Sequence, residues 1–131
     1  MINSSVDRKR MLIVEDEPAI CGLVRRVLTD EGFEVDVAPD GRIAQSMIRE
    51  REYDLYLIDI KLPVMDGKEL YKWLQDEYPR SAGRAIFTTG SAMCQDTESF
   101  LHRSGRQVLP KPFTLEELKA KIRQALKVVD E

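Results

Sequence analysis

The feature that most constrains the fold is a regular alternation of short apolar runs with amphipathic helical patterns. The runs "MLIV" at 11–14 and "AIFTT" at 85–89 have the length of buried strands. Similar strand patterns occupy residues 33–38, 53–59 and 107–109. Helical patterns lie between and after them, at residues 18–32, 43–48, 68–78, 91–104 and 114–129. Strands that alternate with helices in this way predict an α/β fold, with a parallel sheet covered by helices on both sides.

Each helical pattern carries an apolar face, and local signals mark the helix ends. Pro18 suits a first helical turn with Asp16 before it as the cap, and Pro79 is predicted to help stop the third helix. Thr114 and Glu117 predict a capping box at the start of the last helix. The residues expected to face inward are Ile20, Leu23, Val24, Val27, Leu28, Ile43, Ala44, Met47, Ile48, Leu70, Trp73, Leu74, Phe100, Leu101, Leu118, Ile122, Ala125, Leu126 and Val129.

Length and composition indicate one domain with an ordinary core. Hydrophobic residues make up 43% and charged residues 33% of the 131 positions. The formal net charge of -3, with no basic stripe, argues against direct nucleic-acid binding. No apolar run approaches a membrane span and the first residues do not resemble a signal peptide, so a cytoplasmic protein is expected. Cys21 and Cys94 stand in no metal or redox spacing, and reduced thiols are expected.

Polar residues gather where the predicted strands end. Glu15 and Asp16 follow the first strand, and Asp59 ends the third. The fourth strand ends in "TTG", which includes Thr89, and the fifth leads to Lys111 between two prolines. Because ligands collect outside the carboxyl ends of strands in such sheets, we expect these side chains to converge on one edge.

The residue types at this edge favour phosphoryl chemistry. Three nearby carboxylates repel one another unless protons or a cation offset their charge. Mg²⁺ prefers oxygen ligands and keeps some positions for water or phosphate oxygens. Lys111 would offer positive charge and Thr89 a hydroxyl donor to a phosphoryl group. Asp59 could then act as a nucleophile whose carboxylate becomes an acyl phosphate.

Four motifs, in order, resemble the receiver domain of bacterial two-component response regulators. They are "VEDEP" after the first strand, "LIDIKLPVMDG" around Asp59, "TTG" after the fourth strand and "LPKPF" after the fifth. The resemblance implies a flavodoxin-like receiver fold, a doubly wound five-stranded parallel sheet of order 2-1-3-4-5 with five helices. Residues 1–10 would be an N-terminal lead-in and residues 11–131 the receiver domain.

The resemblance also implies a metal site and a phosphoacceptor. Asp59 matches the phosphoacceptor of the family. Asp16 and Asp59 match direct ligands of Mg²⁺, and Glu15 matches a residue that acts mainly through water. The backbone carbonyl of Lys61 would be a further ligand of the metal.

The remaining two residues match groups that contact the phosphoryl group. Thr89 matches the hydroxyl that turns inward to meet it, and Lys111 matches the lysine that contacts one of its oxygens. The implied donor is a phosphohistidine on a sensor histidine kinase or a histidine phosphotransfer protein. Phosphorylation would switch the 88–113 region and the face formed by the fourth and fifth helices.

The implied protein is a signalling phosphoacceptor that catalyses its own phosphorylation and dephosphorylation, and not an enzyme with other substrates. This chain shows no DNA-binding or catalytic output domain after the last helix, so we expect either a stand-alone receiver or a piece of a longer protein. A downstream protein or a fused output domain would read the signal. The sequence leaves open whether phosphorylation drives dimerisation.

The chain departs from the family pattern at two positions. Val108 stands where the family often has Phe or Tyr, so an aromatic ring cannot swing behind the threonine in the usual way. Lys61 and Ser91, each two residues beyond a site residue, occupy positions that influence how fast the phosphoryl group is lost to water. The stretch "SGRQVLPKPF" is similar to receivers attached to hybrid sensor kinases.

The same residues also allow simpler interpretations and other functions. Asp59 and Asp16 could be ordinary turn or helix caps, and Lys111 a solvated lysine. An aspartyl-nucleophile phosphohydrolase is an alternative, but that class carries a second aspartate where Lys61 stands. A non-phosphorylated, receiver-like binding module is another alternative. The acidic loop "EDE" would repel a nucleotide phosphate without a metal.

Overall fold

The protein, analysed as a computed structural model, is described for residues 8–90 and 94–130, with side chains described as far as Lys127. The strands are β1 (Arg10–Val14), β2 (Glu34–Ala38), β3 (Leu55–Asp59), β4 (Ala85–Thr89) and β5 (Gln107–Pro110). The helices are α1 (Pro18–Asp30), α2 (Gly41–Glu50), α3 (Gly67–Glu77), α4 (Pro79–Ala82), α5 (Gln95–Ser104) and α6 (Leu115–Asp130). All neighbouring strands are parallel, in the order β2-β1-β3-β4-β5. The expected fold and strand order are therefore confirmed.

Helices cover both faces of the sheet because the central strands are apolar throughout. Successive side chains of a strand point to opposite faces. On one face, Leu12, Ile58 and Phe87 pack with buried residues of α2, α3 and α5. On the other face, Ile13 and Leu57 pack with buried residues of α1 and α6. The carboxyl ends of the strands are left between these two layers, which is where a site can form.

Side-chain caps begin three of the helices. Asp40 and Asp66 cap α2 and α3, and each accepts a hydrogen bond at 2.9 Å from the backbone N–H three residues on. The predicted capping box is present: the Glu117 N–H donates to the Thr114 hydroxyl at 3.0 Å, and the Thr114 N–H donates to the Glu117 carboxylate at 2.8 Å. These caps anchor α3 and α6 beside the carboxyl ends of β3 and β5.

One prediction about a helix end is wrong, and another, the stop of the third helix before Pro79, is confirmed but incomplete. Asp16 does not cap α1, because the residue at the N-cap is Glu17 and no side-chain cap bond forms there. Pro79 does more than stop the third helix: it begins the additional four-residue helix α4. The described residues therefore contain six helices, and the predicted fourth and fifth helices are α5 and α6.

The predicted helix faces are mostly confirmed, with two exceptions. Leu23 is 49% exposed and Ile43 is 41% exposed, although both lie at helical spacing from buried residues. Tyr71, which the apolar pattern did not single out, is buried on α3, whereas Trp73 is only partly buried. The side chain of Val129 lies outside the described part of the chain. Among the described residues, no helix is both long and apolar enough to cross a membrane.

Candidate functional site

Three strands place a lysine between two buried carboxylates. Glu15 directly follows β1, Asp59 ends β3 and Lys111 follows β5. The Lys111 Nζ lies 2.8 Å from Glu15 Oε1 and 2.9 Å from Asp59 Oδ2. Strand alternation accounts for the meeting, because all three continue the side-chain register that faces α1 and α6. The Lys111–Pro112 peptide bond is cis.

A third carboxylate completes an acidic group that we call the carboxylate cluster, formed by Glu15, Asp16 and Asp59. One oxygen from each lies within 4.8 Å of the others. Glu15 and Asp59 are buried, at 3% and 5% exposure, whereas Asp16 is exposed to solvent. The cluster thus has two oxygens held by the protein and a third at the open side, where a ligand could enter.

Burial and ion pairing shift the pKa values of Glu15 and Lys111 in opposite directions. Burial raises the pKa of Glu15, and the nearby Asp59 charge adds to the rise, while the hydrogen bond from Lys111 opposes it. Burial also disfavours the charged form of Lys111. Its hydrogen bonds to Glu15 and Asp59 outweigh that effect and raise the pKa of Lys111 to about 12. Lys111 is therefore a permanent cation at neutral pH.

The backbone after β3 holds Asp59 from behind. The Lys61 N–H donates to Asp59 Oδ1 at 3.2 Å, and the Gly67 N–H donates to the Ile60 carbonyl at 2.8 Å. A Cβ at Gly67 would collide with the Asp59 carbonyl oxygen and would lie 2.8 Å from the Ile60 Cα. Only glycine allows α3 to begin this close to the site.

Between these points the chain turns through Val64, a β-branched residue with φ of +68° that is 75% exposed. Positive φ is strained for such a side chain. The side chain of Lys61 is likewise exposed. The loop from Lys61 to Gly67 therefore exposes Lys61 and Val64 to solvent, while Leu62 and Met65 pack against the core and the backbone of the loop stays close to Asp59.

The two threonines at the end of β4 face different sides of the sheet. Thr88 pairs with Asp59 in the strand register, and alternation places it on the α1/α6 face. Thr89 shares the other face with Phe87, and its carbonyl accepts a hydrogen bond from the Lys111 N–H at 2.7 Å. The Thr89 hydroxyl forms no hydrogen bond with the described residues. Ser91 lies outside the described residues.

The neighbouring strand β5 carries Val108, which stands where the family often has an aromatic residue. Val108 on β5 pairs with Phe87 in register and packs as a partly buried side chain. Two phenylalanines and a tyrosine lie close by instead: Phe87 lies 5.4 Å from Phe100 and 5.1 Å from Tyr71, measured between ring centroids. An aromatic cluster therefore lies beside β4. Its rings come from β4, α3 and α5, and not from β5.

Two residues of the site were missed by the sequence reasoning. Glu17 lies 3.7 Å from the Lys111 Nζ through its carboxylate, and its N–H donates to Glu15 Oε2 at 3.2 Å. Gly67 sets the close approach of α3. The "EDE" triplet and the "MDG" end of the central motif contained both residues, but neither string specifies a distance. Cys21 and Cys94 are both free thiols, as expected.

The chemistry of the donor set fits a hard divalent cation. Carboxylate oxygens at an open strand edge are ligands that Mg²⁺ accepts, and Asp16 faces solvent with room for water or phosphate oxygens. Lys111 already neutralises part of the charge of Glu15 and Asp59 and would have to share Asp59 with such a cation.

The chain is similar to several known proteins. The family model described as "Response regulator receiver domain" matches residues 11–123. The chain is 36% identical over 114 residues to the transcriptional regulatory protein TcrA of Mycobacterium tuberculosis, covering 87% of this chain and 44% of TcrA. It is 34% identical over 114 residues to the aerobic respiration control sensor protein ArcB of Escherichia coli, covering 87% of this chain and 15% of ArcB. It thus spans less than half of the length of either relative.

A solved structure gives the same result for the fold. The crystal structure of a CheY-like response regulator receiver domain protein from Methanospirillum hungatei superposes with a TM-score of 0.86 at 31% identity. The superposition covers 94% of this chain and 97% of that one. The family model covers most of the chain, and the fold and strand order agree with it. The chain therefore belongs to the response regulator receiver domain family of two-component systems.

Proposed function

We propose that this domain accepts a phosphoryl group on Asp59 and passes the change to a neighbouring surface. The observation that carries the proposal is the position of Lys111, whose ammonium bridges Glu15 and Asp59 at 2.8 and 2.9 Å beside a third carboxylate. A cation among carboxylates at the ends of parallel strands is suited to receive a phosphoryl group, since its charge can move to the incoming oxygens.

Asp16, Asp59 and the backbone carbonyl of Lys61 would hold Mg²⁺, with Glu15 acting mainly through water. When bound, the metal would offset negative charge on the phosphoryl oxygens. The protein's own contribution is positioning: Lys111 and the Lys61 N–H fix the two oxygens of Asp59, and the Gly67 contact fixes its backbone.

The proposed reaction moves one phosphoryl group between two side chains. An Asp59 oxygen forms a bond to phosphorus while the bond from phosphorus to the imidazole nitrogen of a phosphohistidine breaks, and the electron pair stays on that nitrogen. The Thr89 hydroxyl and the Lys111 ammonium would contact the transferred oxygens. In the later dephosphorylation step, water attacks the phosphorus of the acyl phosphate. Inorganic phosphate is released, and the Asp59 carboxylate is restored.

The donor would be a sensor histidine kinase or a histidine phosphotransfer protein in the cytoplasm. Adding roughly two negative charges at Asp59 would draw Thr89 and Lys111 inward. We infer that the 88–113 region then shifts, and with it the face formed by α5 and α6. A downstream protein or fused output domain would read that face, and a phosphorylation-dependent dimer is one form such a reading could take. We further propose residues 11–131 as the receiver domain and residues 1–10 as its lead-in.

The test is incubation with a small acyl or amido phosphate and Mg²⁺, followed by intact mass spectrometry. We expect a gain of one phosphoryl group that disappears in Asp59→Asn and without Mg²⁺. The matched control is Asp54→Asn, a change of the same type at the start of β3, which should leave the gain intact. No gain with several donors would refute the proposal. Release of many phosphates per protein would instead favour the phosphohydrolase.

A further inference from the structure

A groove lies between α3 and α5, away from the carboxylate cluster. Its volume is about 430 Å³, and neither the carboxylates nor Lys111 line it. Two aromatic residues line it: Phe100 on α5, which is half-buried, and Tyr71 on α3, which is 4% exposed. A volume of this size is enough to receive one or two side chains of another molecule. We call it the α3–α5 groove.

The apolar floor of the groove is held in place from beneath. The Tyr71 and Phe100 rings meet edge to face, with centroids 5.8 Å apart. Both also pack edge to face on Phe87 of β4, at 5.1 and 5.4 Å. Such edge-to-face pairs stabilise an aromatic cluster beyond simple burial. The floor therefore exists before any ligand arrives, which lowers the ordering cost of binding.

The rim of the groove is basic. Lys68 and Lys72 on α3 and Arg103 on α5 line it, and Glu69 is the one carboxylate among the described residues that line it. Among the described residues, no carboxylate lies within 4.0 Å of any of these three cations. An acidic ligand would gain attraction here without first breaking an ion pair.

We propose that the α3–α5 groove docks an acidic segment of a partner protein, with one apolar side chain seated against Phe100, which Tyr71 supports from beneath. A small polar ligand fits less well. Such a site usually contains buried polar groups that fix the orientation of the ligand. The one buried side-chain polar atom without a hydrogen bond in the described residues belongs to Gln107, which does not line the groove. The rim offers only flexible surface cations, which suit a chain with several carboxylates.

The test measures fluorescence anisotropy of a labelled peptide that carries glutamates on both sides of a Leu-Phe pair. We expect saturable binding by the full chain that weakens as salt is raised, because exposed charges are screened. Two comparison peptides replace either the glutamates with lysine or the Leu-Phe pair with serine. Both should bind at least about tenfold more weakly, which corresponds to about 1.4 kcal/mol.

Single charge reversals then locate the site. Lys72→Glu and Arg103→Glu should each weaken binding several-fold, whereas Arg26→Glu, the same kind of change at an exposed position of α1, should not. Phe100→Leu removes an aromatic ring from the groove floor and keeps most of the side-chain volume. Thermal unfolding checks that this variant remains folded. The proposal is overturned if the glutamate peptide does not saturate, if the lysine peptide binds equally well, or if Arg26→Glu weakens binding as much as the groove variants. It does not depend on phosphorylation of Asp59, so it stands or falls separately.

Discussion

The site around Asp59 lies at the end of β3, and α5 follows the neighbouring strand β4. The two regions differ in how firmly side-chain contacts hold their backbones. Around Asp59, a glycine packs against backbone, a lysine bridges two carboxylates, and an aspartate caps the helix that follows. The α5 helix packs on the core through Thr97, Phe100 and Leu101, but it begins without a side-chain capping bond at Cys94. A firmly held site beside a helix that begins without a cap is what the proposed switch requires, because a local charge change can move the start of that helix.

The clearest way to break this comparison is to disturb the firm side. Gly67→Ala should destabilise the protein by about 3 kcal/mol, because the new Cβ would overlap the Asp59 carbonyl. Gly90→Ala is the control, since no atom of the described residues lies within 4 Å of a Cβ built there. Urea unfolding of both variants measures the difference. Equal stability of the two would mean that the site is not tightly packed.

Removing the bridging lysine should have the next largest effect. Lys111→Met leaves Glu15 and Asp59 buried without their cation. We expect the free energy of unfolding to fall by about 2 kcal/mol. Mg²⁺ should restore more stability to this variant than to the natural chain, because a metal replaces the missing charge. Lys119→Met removes a lysine that lies 4.0 Å from Glu31 at the surface, and it should cost less than about 0.5 kcal/mol. If the free energy of unfolding falls equally in the two variants, the bridge from Lys111 to the buried carboxylates does not stabilise the protein more than a surface ion pair does.

Helix caps offer a direct comparison of the two regions. Asp66→Ala should cost about 1 kcal/mol, because it removes the bond to the Glu69 N–H at the start of α3. Cys94→Asp should instead stabilise the protein by about 0.5 kcal/mol, because α5 begins without a side-chain cap. Thermal unfolding of both variants would show it. A loss in Cys94→Asp would mean that the start of α5 is already well held.

The smallest expected effect concerns pH. The pKa of Lys111 is raised from 10.5 to about 12 in the folded protein, so its stabilising effect is fully present below 10.5 and is lost as the pH rises through about 12. The stability difference between the natural chain and Lys111→Met should therefore stay constant up to pH 10.5 and shrink above it. Unfolding measured at several alkaline pH values checks this. A difference that persists above pH 12 would show that the charge of Lys111 does not cause it.

The sheet could be predicted because its strands are short, apolar and separated by helical patterns. The site could be located because parallel strands bring their ends to one edge, which fixes the neighbourhood of Glu15, Asp59 and Lys111 without any distance. Which oxygen Lys111 contacts, and that Glu17 joins it, depends on side-chain paths that the sequence does not encode locally.

The errors have equally physical causes. Proline both ends a helix and suits its first turn, so the end of α3 before Pro79 could be predicted although the four-residue helix that Pro79 begins was missed. Helical spacing gives one face of a helix but not its width, so Leu23 and Ile43 were placed inside although they lie at the exposed margin. Asp16 was expected to cap α1 because aspartate is a common cap, but the helix begins one residue too late for it.

Hydrogen exchange of the backbone amides tests the central claim most directly. The chain is compared with and without an acyl phosphate plus Mg²⁺, and Asp59→Asn serves as the control. We predict that exchange changes most in α5 (Gln95–Ser104), little in α1 (Pro18–Asp30), and not at all in Asp59→Asn. A change spread evenly over both helices, or one that persists in Asp59→Asn, would contradict the account.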